Sequence, residues 1–308
     1  MAFLRKYWKL FLHIVVLCLI LGAAAEFAEE IQVLKERVYY TLHPVPVPGA
    51  TDDQITLHPM EAPADAWFQD HPLIFHAGGQ IQGRCYTNCL EAVEKTLAEN
   101  PDKCVIEMDL IYTSDGALVC AHNWLDAFLN QTEAPSLAEF LSRKIQGKFT
   151  PLTAEQLLKI MAENPQMYLV TDIKHQGYPL APVIEELAEL CSWDESVLSR
   201  MIIQLYTGRE KQDILKVYPF RDDQFVFTTY EWGVWQHEVA QICNEEGIFV
   251  IAVPHGEMND ADAALMKELG FTVYEFTVNR PDEAQVSLAR GISGFYTDDL
   301  IAEDVISQ

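Results

Sequence analysis

Positive charge is what this 308-residue chain has least of: 21 Lys and Arg residues stand against 46 Asp and Glu, a formal net charge of −25. Binding nucleic acid or an anionic membrane surface requires clustered basic side chains, so neither kind of partner face is expected here. An anionic substrate would meet a repelling field and would need a local cation. Paired CxxC spacings are also lacking among the seven cysteines, which excludes the usual zinc-ribbon frameworks. Six cysteines follow Cys18. Buried free thiols are the simplest reading for them, although Cys104 and Cys120, which flank a suggested hairpin, could be cross-strand neighbours, and Cys85 and Cys89 could meet if the local backbone allowed it. No low-complexity tract or strong repeat interrupts the main body, so a solenoid is not indicated. Nearly half of the residues are hydrophobic (49%), ample for a substantial core.

One long hydrophobic run is present. Arg5, Lys6 and Lys9 precede LFLHIVVLCLILGAAA, residues 10–25, which has about the length of an export signal and ends in small residues suited to cleavage. Counted from Trp8 to Phe27, the same segment reaches the roughly 20 residues that span a bilayer. Cleaved signal and retained anchor both fit. In either case the basic flank comes first, so the rest of the chain is expected outside the cytoplasm, secreted or held at the membrane by this segment. Residues 26–66 then read as a short amphipathic helix followed by the Pro-rich linker HPVPVPGATDD, and residues 67–308 as the compact domain.

Within that domain short apolar runs alternate with helical patterns. The strand candidates are PLIFH, CVIEMDL, MYLVTD, MIIQLY, QFVFTT, IFVIAV, FTVYEF and GFYTD. Continuous rather than alternating apolar strands suggest a parallel sheet covered on both faces. Eight of them with intervening helices over about 240 residues match an α/β (β/α)8 barrel, with an open doubly wound sheet as the alternative. After the second strand, TSDG turns the chain and ALVCAH returns as a short hairpin strand, a small insertion in the barrel.

The second strand contains a misfit. Glu107 and Asp109 interrupt an otherwise apolar run, and residues two apart on a strand point the same way. Buried carboxylates without a cation are costly, so a metal ion or a charge network with Lys174 is expected. In a barrel, functional side chains gather at the C-terminal ends of the strands. His76, Glu107, Asp109, Asp172 and Lys174 all fall there, and the hairpin brings His122 back to the same rim. Gln204 at the end of MIIQLY is a candidate substrate contact, and Trp124, Tyr206, Tyr230, Trp232 and Phe276 are candidates for an apolar wall, with core packing the alternative for each. Asn88 is expected to hold the first loop.

HAGG, YTNCLEA, IEMDLIYTSDGALVCAHNW, YLVTDIK and GISGFYTDD, in that order from His76 to Asp299, resemble the glycerophosphodiester phosphodiesterase family. The resemblance implies a (β/α)8 barrel that hydrolyses phosphodiesters with a divalent cation, calcium or magnesium. It further implies that Glu107 and Asp109 hold the metal and that His76 and His122 act as acid and base. Asp172 adds a third oxygen ligand suited to a hard cation, and Lys174, as a point charge, and Gln204 are candidate contacts for a small phosphodiester or phospholipid-derived substrate. Three positions depart from the family pattern. Ala77 stands where an arginine commonly follows the first histidine, Asn123 where an aspartate commonly follows the second, and Asp172 where the third carboxylate is commonly glutamate. The Asp-x-Lys form is similar to the related sphingomyelinase D enzymes. A phospholipase D or sphingomyelinase D-like activity on intact lipid, or a catalytically silent barrel acting as a binding module, are the alternatives.

Overall fold

The computed structural model describes residues 57–69, 71–174, 179–208, 210–230 and 232–305. The expected signal or anchor segment and the helix after it lie outside the described residues. Among the described residues, no helix is long and apolar enough to cross a membrane.

Eight parallel strands close into a barrel. They are β1 (Leu73–Phe75), β2 (Cys104–Tyr112), β4 (Met167–Ile173), β5 (Met201–Leu205), β6 (Phe225–Thr228), β7 (Val250–Pro254), β8 (Thr272–Phe276) and β9 (Gly294–Thr297), and β1 pairs with both β2 and β9 to complete the ring. The short strand β3 (Leu118–Cys120) runs antiparallel to the end of β2, as the hairpin expected from TSDG. Helices α1 (Leu90–Glu99), α2 (Trp124–Phe128), α3 (Leu137–Ser142), α4 (Ala154–Glu163), α5 (Leu180–Leu190) and α6 (Glu195–Leu198) follow the first strands. The ring of helices is completed by α7 (Glu210–Val217), α8 (Trp232–Glu246), α9 (Asp260–Glu268), α10 (Pro281–Arg290) and α11 (Ala302–Val305). Helices α3 and α4 begin at Ser136 and Thr153, each of which closes a reciprocal capping box with the side chain three residues on.

One expectation about the cysteines fails. Cys120 pairs with Leu110, because the hairpin joins the far end of the nine-residue strand that Cys104 begins. The six cysteines after Cys18 are free thiols, with Cys89, Cys104, Cys120 and Cys243 buried.

The barrel interior has a simple floor. Ile74, Val105, Val170, Ile202, Val226, Val250, Tyr274 and Tyr296, one from each parallel strand, form one apolar cluster together with Trp67 and Phe68. These last two come from the segment that precedes β1. The Trp67 indole donates to the Asp223 carbonyl at 2.6 Å, just before β6, and its ring stacks on Tyr274. Lys103, just before β2, donates to the Trp67 carbonyl at 2.6 Å. Asp223 and Lys103 lie just before their strands, so the segment stoppers the N-terminal end of the barrel. Packing extends further back than residue 67. The Met60 amide donates to the Leu269 carbonyl, and Leu57 and Met60 rest on the core.

Candidate active site at the C-terminal rim

Strand register assembles the site. Side chains on a strand alternate faces. Above the interior residue Val105, Glu107 and Asp109 therefore also point inward, and above Val170 and Ile202 so do Asp172 and Gln204. Asp109 and Asp172 are direct register partners across β2 and β4. Phe75 is paired with Ile106 on one side and Thr297 on the other, which puts His76, the next residue, between Glu107 and Asp298. On the hairpin, the Ala121 amide donates to the Asp109 carbonyl at 3.0 Å, which carries His122 to the same rim.

The three carboxylates Glu107, Asp109 and Asp172 each offer an oxygen, and these oxygens lie within 4.8 Å of one another. All are buried, at 2%, 0% and 5% exposure. Glu107 Oε2 accepts from the Ala77 amide at 2.7 Å, and Asp109 Oδ2 accepts from the Asn88 side chain at 2.6 Å. Glu107 Oε1 is buried without a hydrogen-bond partner, and Asp109 Oδ1, equally buried, accepts no hydrogen bond and faces only the Lys174 ammonium at 3.0 Å. Three buried carboxylates with an oxygen left unpartnered match the all-oxygen donor set of a hard divalent cation. The residues present therefore fit a divalent cation.

Lys174 sits within this cluster, its ammonium 2.5 Å from Asp172 Oδ2 and 3.0 Å from Asp109 Oδ1. Burial works against the lysine's charge, but Asp109 and Asp172 outweigh it and hold its pKa well above the ordinary range. Burial also opposes ionisation of Asp109. There the positive charge of Lys174, followed by His122 and His76, prevails and lowers the pKa. For Glu107 burial and repulsion from Asp109 prevail, and the pKa rises.

Each histidine has a carboxylate on its Nδ1. His76 Nδ1 lies 3.0 Å from Asp298 Oδ1, and His122 Nδ1 lies 2.6 Å from Asp126 Oδ2. Asp298 is fixed by Asn279, which donates to Oδ2 at 2.8 Å and accepts from the Asp298 amide at 2.7 Å. Burial disfavours the charged form of His76, but the hydrogen bond to Asp298 and the negative charges of Glu107, Asp298 and Asp109 lift its pKa to about 9. Asn123 donates to Asp126 Oδ2 at 2.5 Å and caps α2 through the Asp126 amide. The Tyr86 ring stands between the two imidazoles, its centroid 4.6 Å from that of His76 and 4.9 Å from that of His122.

The seven candidate catalytic, metal and substrate residues lie at this rim or just below it in the barrel. Gln204, expected at the substrate, has its amide engaged by two tyrosines: it donates to Tyr206 at 2.7 Å and accepts from Tyr296 at 3.2 Å. Tyr206, Tyr230 and Phe276 form a continuous run of ring contacts on the β5 to β8 side. The other two wall candidates are core residues: Trp124 packs on Phe140, and Trp232 is buried with its indole donating to Asp262 at 3.0 Å. Asn88 fastens the first loop as expected, through a two-way bond with Asp109. Asp298, Asp126, Asn279 and Tyr86 have no signal of their own in the sequence beyond the TDD that ends GISGFYTDD, which contains Asp298.

The loop after β1 is unusually tight. Ala77 adopts φ +49°, and a Cβ added at Gly79 (φ +84°) would lie 2.7 Å from the Thr96 hydroxyl of α1. The turn aims the Ala77 amide at Glu107.

No family model and no curated protein sequence matches the chain. Solved structures do. A glycerophosphoryl diester phosphodiesterase from Parabacteroides distasonis superposes with a TM-score of 0.57 at 17% identity, covering 81% of this chain and 93% of that one. A phosphodiesterase from Oleispira antarctica, solved in complex with the product sn-glycerol-3-phosphate, gives 0.55 at 14% identity over 74% and 93% of the two chains. A glycerophosphodiester phosphodiesterase from Agrobacterium tumefaciens gives 0.53 at 13% identity over 74% and 96%. The chain thus shares the (β/α)8 fold of the glycerophosphodiester phosphodiesterases, in line with the resemblance its motifs carry.

Proposed function

We propose that this protein hydrolyses phosphodiesters, with glycerophosphodiesters or lipid headgroups as substrates and a divalent cation, calcium or magnesium, held by Glu107, Asp109 and Asp172. The observation that carries the reading is the convergence, on one barrel rim, of two carboxylate-backed histidines with three buried carboxylates whose oxygens lie within 4.8 Å of one another. When bound, the cation neutralises phosphate charge and orients a neighbouring hydroxyl.

The rest is the work of the chain's own side chains. With Nδ1 directed at Asp298 or Asp126, each imidazole presents Nε2 to the rim. One histidine takes the proton from the substrate hydroxyl adjacent to phosphorus as its oxygen bonds to phosphorus. The other donates a proton to the departing alcohol as the phosphorus–oxygen bond breaks. Water then opens the resulting cyclic phosphate with the roles reversed. Lys174 adds a point charge for the phosphate, without the bidentate geometry of an arginine.

Release of phosphomonoester from a panel of glycerophosphodiesters, assayed with calcium, with magnesium and with chelator, tests the reading. Metal-dependent turnover that His76→Ala and His122→Ala abolish is the expected result. Turnover of intact phospholipid alone would favour a sphingomyelinase D-like enzyme, and no turnover under any condition would leave a silent binding barrel. The N-terminal hydrophobic segment supports export, so a reporter fused after Gln308 should be reachable from the extracytoplasmic side. Labelling only from the cytoplasm would refute that topology.

A further inference from the structure

We infer that Tyr296, Gln204 and Tyr206 form a one-way hydrogen-bond chain that positions Asp172 for cation binding, an inference that rests on the metal-site reading above. Tyr296 donates to Gln204 Oε1 at 3.2 Å, Gln204 Nε2 donates to the Tyr206 hydroxyl at 2.7 Å, and Tyr206 donates to Asp172 Oδ1 at 2.6 Å. Every link points the same way, towards the carboxylate. Each donor polarises the next, so the final hydroxyl is a stronger donor than an isolated phenol. Gln204 and Tyr296 are buried, at 4% and 3% exposure.

The fold itself does not call for these groups. Ile202, beneath Gln204 on β5, and Val226, its register partner on β6, are apolar, and polar groups buried among them carry a desolvation cost. What the chain does accomplish is visible at Asp172. Both of its oxygens are hydrogen-bonded, Oδ1 by Tyr206 and Oδ2 by Lys174, whereas Glu107 Oε1 has no hydrogen-bond partner and Asp109 Oδ1 meets only the Lys174 ammonium, without a hydrogen bond. Lys174 lies between Asp109 and Asp172 and attracts both. Anchoring Oδ1 on the β5 side stops the Asp172 carboxylate from turning to offer both oxygens to that ammonium. Tyr206, Gln204 and Tyr296 are therefore positioning residues: Tyr206 touches the ligand, and the other two act through it.

Calorimetric titration with calcium alone, and separately with magnesium alone, tests this without reference to activity. Outer-shell partners of a metal ligand are typically worth about 10- to 100-fold in affinity. Tyr206→Phe, which keeps the ring and removes the hydroxyl, should weaken binding about 10-fold. Gln204→Leu should weaken it by less and Tyr296→Phe least, while unfolding midpoints in chelator stay near that of the unaltered protein. Tyr206→Phe combined with Gln204→Leu should bind about as Tyr206→Phe alone, because the chain acts only through its last hydroxyl. Unchanged affinity in Tyr206→Phe overturns the inference, as does a loss of affinity that merely tracks a loss of stability. If Tyr206→Phe does not fold, unchanged affinity in Gln204→Leu overturns it equally. An unaltered protein that binds neither ion removes the metal-site reading and this chain together. Binding by the unaltered protein with no effect of the variants removes only the chain.

Discussion

The Ala77 amide donates to Glu107 Oε2 over 2.7 Å, so the turn that carries His76 is fastened directly to a candidate cation ligand. Charge and shape at Glu107 can therefore be separated. Glu107→Gln retains an oxygen to accept from Ala77 but loses the negative charge. We expect it to keep the barrel's unfolding midpoint while weakening calcium or magnesium binding, measured by calorimetry, by more than the roughly 100-fold that outer-shell changes reach. Asp109→Asn should behave alike. Unchanged affinity in both would remove these residues from the site.

Loss of either histidine should cost turnover without costing metal. A positioned acid or base contributes about 100- to 10,000-fold in rate, so His76→Ala and His122→Ala should each lose about that much kcat on a good glycerophosphodiester. The double variant should lose less than the product of the two if they act as a unit. Near-normal rates in both singles would return the imidazoles to a purely structural role.

Asp298 is the strongest single stabiliser of the charged form of His76. Replacing it with Asn should lower the His76 pKa from about 9 towards the ordinary histidine value, followed by NMR titration of the ring in chelator. The linked stability effect has a definite sign. A histidine raised in the folded state stabilises fully below its unfolded pKa, near 6.5, and that contribution disappears as pH climbs through about 9. The metal-free protein should thus lose up to about 3 kcal/mol between pH 6.5 and 9 in urea unfolding, and Asp298→Asn clearly less. An identical pH dependence in the two proteins would contradict the pairing.

Trp67 makes the segment before β1 part of the barrel. It is 2% exposed, stacks on Tyr274 and hydrogen-bonds to the Asp223 carbonyl. Trp67→Ala should cost about 3–5 kcal/mol. Trimming the chain to begin at residue 57 should leave the unfolding midpoint unchanged, whereas starting at residue 70 should lower it sharply. Equal midpoints for the two truncations would show that the stopper is dispensable.

The sequence was most legible where local pattern and global fold agree. MIIQLY and IFVIAV are apolar on both faces because barrel and helices cover both, and period-two spacing placed Glu107 and Asp109 together. Those two carboxylates stood out because nothing nearby in sequence could pay for their burial. Asp298 did not stand out, since an acid in a TDD turn looks like any solvated loop residue until β9 closes against β1. The same holds for the Asn88–Asp109 bond and for Tyr296 meeting Gln204, contacts that exist only once the ring is shut. The Cys104–Cys120 expectation failed for a related reason: strand length, and with it hairpin register, is weakly encoded when Val105, Ile106, Leu110, Ile111 and Tyr112 leave no break along β2.

Among the described residues, Trp67 and Phe68 fill the floor of the barrel, which leaves its C-terminal rim as the way in. Diester, alcohol and phosphomonoester would all have to pass the same rim, between the loop that carries Tyr86 and the Tyr206–Tyr230–Phe276 side. Under this reading traffic is strictly two-way. The product that lingers blocks the next arrival, and inhibition by the slower-leaving product should be competitive with substrate.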